Sequence, residues 1–138
     1  MTDTRTFADF DSSIFTIDRN CLDLEWEKQA VNVFEIGRLG AQAQLYMDDL
    51  KRQLEVKRAG LDSSIRRDPA RFNIAKLTEG AVASVIAQNP EIIDLTDKIS
   101  HAQYQISIYR AASFALENKK KGLESLTQLL SMNYYSAK

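Results

Sequence analysis

From residue 22 to residue 61 nothing in the chain forbids a helix except Gly37, Gly40 and Gly60, and from residue 91 to residue 132 only Gly122 interrupts a second such run. Both prolines, Pro69 and Pro90, lie between the two runs. Proline lacks an N–H and disfavours helix at the residue before it, so helix breaks are expected there. A chain with this punctuation folds into long helices or not at all.

In the first run the apolar residues recur on one side: Trp26, Ala30, Val33, Leu39, Ala43, Tyr46, Leu50 and Leu54. That spacing is the stripe of an amphipathic helix. Gly37 and Gly40 weaken it by about 1 kcal/mol each relative to alanine, or else let a neighbouring helix approach closely. Residues 62–77 open with Asp62-Ser63-Ser64 and contain Asp68-Pro69, which reads as a connecting arm. Thr78 is placed to cap a short helix over 79–89, and Pro90 suits the first turn of the next helix. Stepping by alternate threes and fours from Ile92 meets Leu95, Ile99, Ala102, Ile106, Tyr109, Leu116, Leu123 and Leu130, with defects at Ser113, Lys120 and Thr127. This is a coiled-coil-like seam. Residues 1–18 read as a flexible or extended lead-in that ends at Asp18 as a helix cap, and 19–138 as one helical domain.

Two helices of about 40 residues would each be about 60 Å long, too long for a compact globule of 138 residues unless they lie against each other. The expected fold is therefore all-α: two long antiparallel helices with a short intervening helix and a basic arm. A hairpin buries one stripe per helix, yet Val31, Phe34, Leu45, Ile93 and Phe114 lie off it. Such faces call for a homo-oligomer, with Leu95, Ile99, Ile106, Tyr109, Leu116 and Leu123 at the interface.

The search for chemistry comes back nearly empty. His101 is the sole histidine and Cys21 the sole cysteine, far apart in sequence, so no nucleophile and base are offered as a pair. Lys119-Lys120-Lys121-Gly122 lacks the strand and spaced glycines of a phosphate loop. The acidic residues never join His or Cys at metal-ligand spacing. The expectation is a protein that is not an enzyme and needs no cofactor and no metal. One cysteine makes no intramolecular disulfide, the first fifteen residues hold no secretion-type leader, and no run approaches the roughly 20 apolar residues of a membrane span, so a reducing, cytoplasmic setting is expected.

The formal net charge of -1 conceals a strong asymmetry. Residues 1–50 hold 4 basic and 10 acidic side chains, whereas residues 51–76 hold 8 basic and 3 acidic. The cations of the second segment are Lys51, Arg52, Lys57, Arg58, Arg66, Arg67, Arg71 and Lys76, with Phe72 and Ile74 among them. Such a concentration suits a polyanion backbone, and Trp26, Tyr104, Tyr109, Tyr134 and Tyr135 are candidates to stack on bases. A solvated basic helix end, gripping an acidic protein, is the competing reading.

Three short motifs resemble the UvsY-like recombination mediators of tailed bacteriophages: Ile17-Asp18-x-x-x-Leu22, then Lys57-Arg58-Ala59-Gly60-Leu61-Asp62, then Ala115-Leu116-Glu117-x-Lys119. With the polar arm between the helices they cover about two thirds of the chain. Gly60 stands where that family carries its second basic residue, so DNA binding would lean on Lys57, Arg66 and Arg67 beside Arg58. The resemblance implies a ring-forming helical protein of the host cytoplasm that binds single-stranded DNA. It would help a RecA-like recombinase displace the single-strand-binding protein, and the alternative is a structural or inhibitory coiled-coil module that binds no nucleic acid.

Overall fold

The computed structural model describes residues 11–137, and among them every regular element is helical. Three α-helices carry the chain: α1 (Leu22–Arg67), α2 (Glu79–Gln88) and α3 (Pro90–Ser131). Short 3-10 turns stand at Ser12–Phe15, Arg19–Cys21, Pro69–Phe72 and Tyr134–Ala137. The first ten residues of the expected lead-in lie outside the described residues.

Local chemistry explains most boundaries. The Asp18 carboxylate accepts from the Asn20 N–H at 2.9 Å, so the cap expected there closes a 3-10 turn that leads into α1. Thr78 Oγ1 accepts from the Ala81 N–H at 3.1 Å and starts α2. Asn89 Oδ1 accepts from the Glu91 and Ile92 N–H groups at 2.9 and 3.3 Å and starts α3, with Pro90 at its first position. Asn73, at φ 60°, closes the Pro69–Phe72 turn in the left-handed region that asparagine tolerates.

Two expectations need correction. Residues 12–15 are not extended: Asp11 accepts from the Ser13 N–H at 2.9 Å and folds them into a 3-10 turn. The first helix does not stop at residue 61. It continues through Asp62-Ser63-Ser64 to Arg67, because Ile65 is wholly buried and Asp62 pairs with Arg66 one turn on. The break waits for Asp68, the residue in front of Pro69.

Contacts group the residues after position 18, read above as one domain, into two compact units. One comprises the chain up to Ala43 and from Gln105 onward, the other Gln44–Tyr104. In the first, Ile36, Ala43, Ile106, Tyr109, Ala112, Leu116 and Leu123 are buried, together with the polar Gln29, Gln105 and Lys119. In the second, Met47, Leu50, Ile65, Val82, Ile92 and Ala102 are buried.

In the first unit the register between α1 and α3 is marked at three places. Trp26 Nε1 donates to Thr127 Oγ1 at 3.2 Å, and Gln29 Nε2 donates to the Leu116 carbonyl at 2.8 Å. A Cβ on Gly40 would meet Tyr109 Cβ at 3.4 Å. Gly40 therefore does lie under a neighbouring helix, while around Gly37 there is nothing within 4 Å and its cost to the helix is uncompensated.

The α3 seam differs in phase from the spacing read off the sequence. Beyond Tyr109 the buried positions are Ala112, Leu116, Lys119 and Leu123, so the step that follows Tyr109 is three residues instead of four. Ser113 and Lys120 point to solvent, and the polar residue that enters the core is Lys119. Its Nζ stands 2.6 Å from Glu25 Oε2 and donates to the Ile14 carbonyl at 2.8 Å, with the side chain 2% exposed. Ile17 packs against Gly122, its Cδ1 only 3.1 Å from where a Cβ would stand.

The expected oligomer interface is corrected by the same observation. Ile106, Tyr109, Leu116 and Leu123 are between 0% and 4% exposed, consumed by the chain's own interior. Leu95 and Ile99 are half-buried. The large apolar side chains left in solvent are others, among them Val31, Phe34, Leu45, Val56 and Phe114, each more than 60% exposed.

Candidate nucleic-acid interface

All eight cations of the basic segment belong to the Gln44–Tyr104 unit, and their surroundings divide them. Three are engaged. Arg52 Nη2 stands 2.7 Å from Asp49 Oδ1 on the same helix. Lys57 pairs with Glu91 at the start of α3. Arg66 holds two acids at once: its Nε is 2.8 Å from Asp62 Oδ1 and its Nη2 is 2.8 Å from Glu79 Oε2, which ties the last turns of α1 to the first turn of α2.

The Arg66 guanidinium holds the Glu79 carboxyl below the usual carboxylate range. Because that pKa is depressed in the folded chain, the tie contributes at neutral pH and is lost as pH falls through the folded value. Both groups are solvent-exposed, so the contribution is small.

Lys51, Arg58, Arg67, Arg71 and Lys76 are exposed and make no ion pair among the described residues. Arg67 ends α1, Arg71 sits in the 3-10 turn, and Lys76 follows in the arm. Arg66 and Arg67 also lie in the last turn of α1, where positive charge complements the helix dipole. At about 100° per residue, Lys51 and Arg58 share one side of α1 while Arg52 and Arg67 stand well round the helix from them. Glu55 and Asp62 alternate with Lys51, Arg58 and Arg66 along that side. The helix therefore carries a mixed-charge face, and the arm that follows it holds two cations, Arg71 and Lys76, against the one acid Asp68.

The aromatic candidates also separate. Tyr109 is 2% exposed and belongs to the core, and Trp26 is half-buried with its indole N–H on Thr127. Tyr134 and Tyr135 meet edge to face at 5.2 Å, with Arg19 over the Tyr135 ring at 5.7 Å. Tyr104 is 60% exposed and stacks on His101 with centroids 6.4 Å apart.

Lys119 is too deeply enclosed to meet a polyanion, whereas Lys120 and Lys121 are exposed. Burial of Lys119 escaped the sequence reading because the seam read there put Lys120 on the inner line, and the acid that pairs with Lys119, Glu25, lies on another helix. Among the described residues there is no group of three His, Cys, Asp or Glu side chains that could hold a metal, and no helix is long and apolar enough to cross a membrane. The Cys21 thiol is pushed up by the nearby Asp18 carboxylate, then by burial, which keeps it protonated and a poor nucleophile. Compared with known proteins, the chain matches no family model, no curated protein and no solved structure.

Proposed function

We propose that this protein is a self-associating, non-enzymatic single-stranded DNA-binding protein of the cytoplasm that acts as a recombination mediator, helping a RecA-like recombinase to load against single-strand-binding protein. The observation that carries the reading is the group of five exposed cations without acidic partners among the described residues: Lys51, Arg58, Arg67, Arg71 and Lys76. A cation already paired gains little from a phosphate, since one contact replaces another. An unpaired exposed cation releases counterions from the nucleic acid when it docks. The mediator role rests on the resemblance of the three motifs.

The architecture belongs to the same proposal. Contacts that descend along α3 as they ascend α1, from Trp26 with Thr127 through Gln29 with Leu116 to Gly40 beside Tyr109, support antiparallel pairing of the long helices. The exposed apolar residues support assembly of several copies.

A second reading has its own observation. Alternating charge along the Lys51–Arg58 side of α1 is what a solvated or protein-binding coiled coil carries. Arg66 and Arg67 separate the two, being neighbours in sequence with opposite surroundings. In anisotropy titrations with a labelled oligonucleotide, Arg67→Ala is expected to weaken binding about fivefold near 0.1 M salt, the loss of one phosphate contact. Arg66→Ala, whose guanidinium is already held by Asp62 and Glu79, is expected to change it less than twofold. Equal effects, or none from either, favour the protein-binding module.

A further inference from the structure

Two of the three engaged cations of the basic segment are held by acids from other helices. Arg66 Nη2 stands 2.8 Å from Glu79 Oε2 in the first turn of α2, and Lys57 pairs with Glu91 in the first turn of α3. Arg52 takes its acid, Asp49, from its own helix one turn back.

The exposures of the partners run in opposite orders. At Arg52 the guanidinium side chain is 74% exposed and that of Asp49 45%, so the cation is the more accessible partner. At Arg66 the cation is 40% exposed and Glu79 84%, and at Lys57 the cation is 35% exposed and Glu91 69%. A polyanion that approaches either of these two cations meets a carboxylate before it meets the positive charge.

A carboxylate offers a guanidinium or ammonium group what a phosphodiester offers, one negative charge on oxygen acceptors. Glu79 and Glu91 are carried by the same folded unit as the cations, so they compete at an effective concentration well above that of a dilute oligonucleotide. A phosphate that displaced one of them would exchange one contact for another and leave a carboxylate close by to repel it. Both acids also complement the dipoles of the helices they begin, so helix formation holds them in the blocking position.

We infer that Glu79 and Glu91 are built-in competitors of the phosphate backbone, carboxylates that fill the phosphate positions at Arg66 and Lys57 and limit how tightly the chain holds single-stranded DNA. The inference rests on the DNA-binding reading above and assigns that interface its restraint. A limited grip suits a protein that must pass its strand to another.

The test compares the full wild-type chain with Glu91→Gln and Asp97→Asn, each of which removes one negative charge from α3. Asp97 is exposed and makes no ion pair among the described residues. In anisotropy titrations near 0.1 M salt, Glu91→Gln is expected to tighten binding of a labelled single-stranded oligonucleotide about fivefold. The log-log salt slope should steepen by about 0.7, the gain of one phosphate contact. Glu79→Gln is expected to act in the same direction but more weakly, because Asp62 still holds Arg66. Asp97→Asn frees no cation and is expected to change affinity less than about twofold. Lys57→Ala is expected to do little by itself and to abolish the gain when added to Glu91→Gln, which a general effect of net charge would not produce. Glu91 is in solvent, so the helical circular dichroism should be unchanged by its substitution. An unaltered affinity, a gain matched by Asp97→Asn, or a gain that survives Lys57→Ala overturns the inference and leaves the DNA-binding reading standing. Absence of binding by the wild type and by every variant at low salt removes that reading, and the inference with it.

Discussion

Lys119→Met is expected to destabilise the fold by about 3–5 kcal/mol, the loss seen when one member of a buried ion pair is removed and the other left without compensation. The Glu25 side chain is only 13% exposed, so its carboxylate would have to stay buried without the ammonium or drag water into the first unit. The Ile14 carbonyl would lose its donor as well, releasing the segment that seats Ile17 against Gly122. The check is urea denaturation followed by circular dichroism, with limited proteolysis near residues 13–17 as a local readout. Glu25→Gln together with Lys119→Met is expected to recover much of the loss, because no unpaired charge then remains in the interior. A neutral Lys119→Met would mean that this lysine is solvated in solution.

Removing three of the five free cations is the second large effect. Arg67→Ala, Arg71→Ala and Lys76→Ala combined are expected to weaken oligonucleotide binding about a hundredfold near 0.1 M salt, since each lost phosphate contact removes about 0.7 of a log unit per decade of salt. The salt dependence should become shallower by about 2 in log-log slope. All three side chains are exposed, so the melting temperature should hardly move. The control is Arg52→Ala, whose guanidinium is already engaged with Asp49 and whose effect should be much smaller. A triple variant that binds as well as the wild type would move the interface away from the arm.

The two long helices were readable because helix continuity is a local property: no proline stands inside either run, and Thr78 and Pro90 mark the second and third starts. What could not be read locally was where packing overrides a weak signal. Asp62-Ser63-Ser64 looks like a loop, yet Ile65 behind it is buried and the helix runs on to the residue before Pro69. The phase of the α3 seam depends on whether three or four residues follow Tyr109. Both choices share Tyr109, Leu116 and Leu123, so the sequence alone does not choose between Lys119 and Lys120. The partner that decides it, Glu25, is on another helix.

The basic segment was visible as composition, but its division was not. Arg66 and Lys57 are bound by Glu79 and Glu91, acids that lie 13 and 34 residues further along the chain and become neighbours only in the folded unit. Charge counting sees eight cations where folding leaves five without an ion pair among the described residues. The same limit applies to the interface: the strongest heptad-like stripe is the one the chain buries in itself, and the weaker stripe through Val31, Phe34, Leu45 and Val56 is the one left in solvent.

The account turns on free cations meeting a phosphate backbone, and the salt dependence of binding measures that most directly. A labelled single-stranded oligonucleotide titrated with the wild-type chain across a salt series should bind tightly at low salt, with log affinity falling against log salt at a slope of about -3.5 for five contacts. Absence of binding at low salt, or an affinity indifferent to salt, would contradict it.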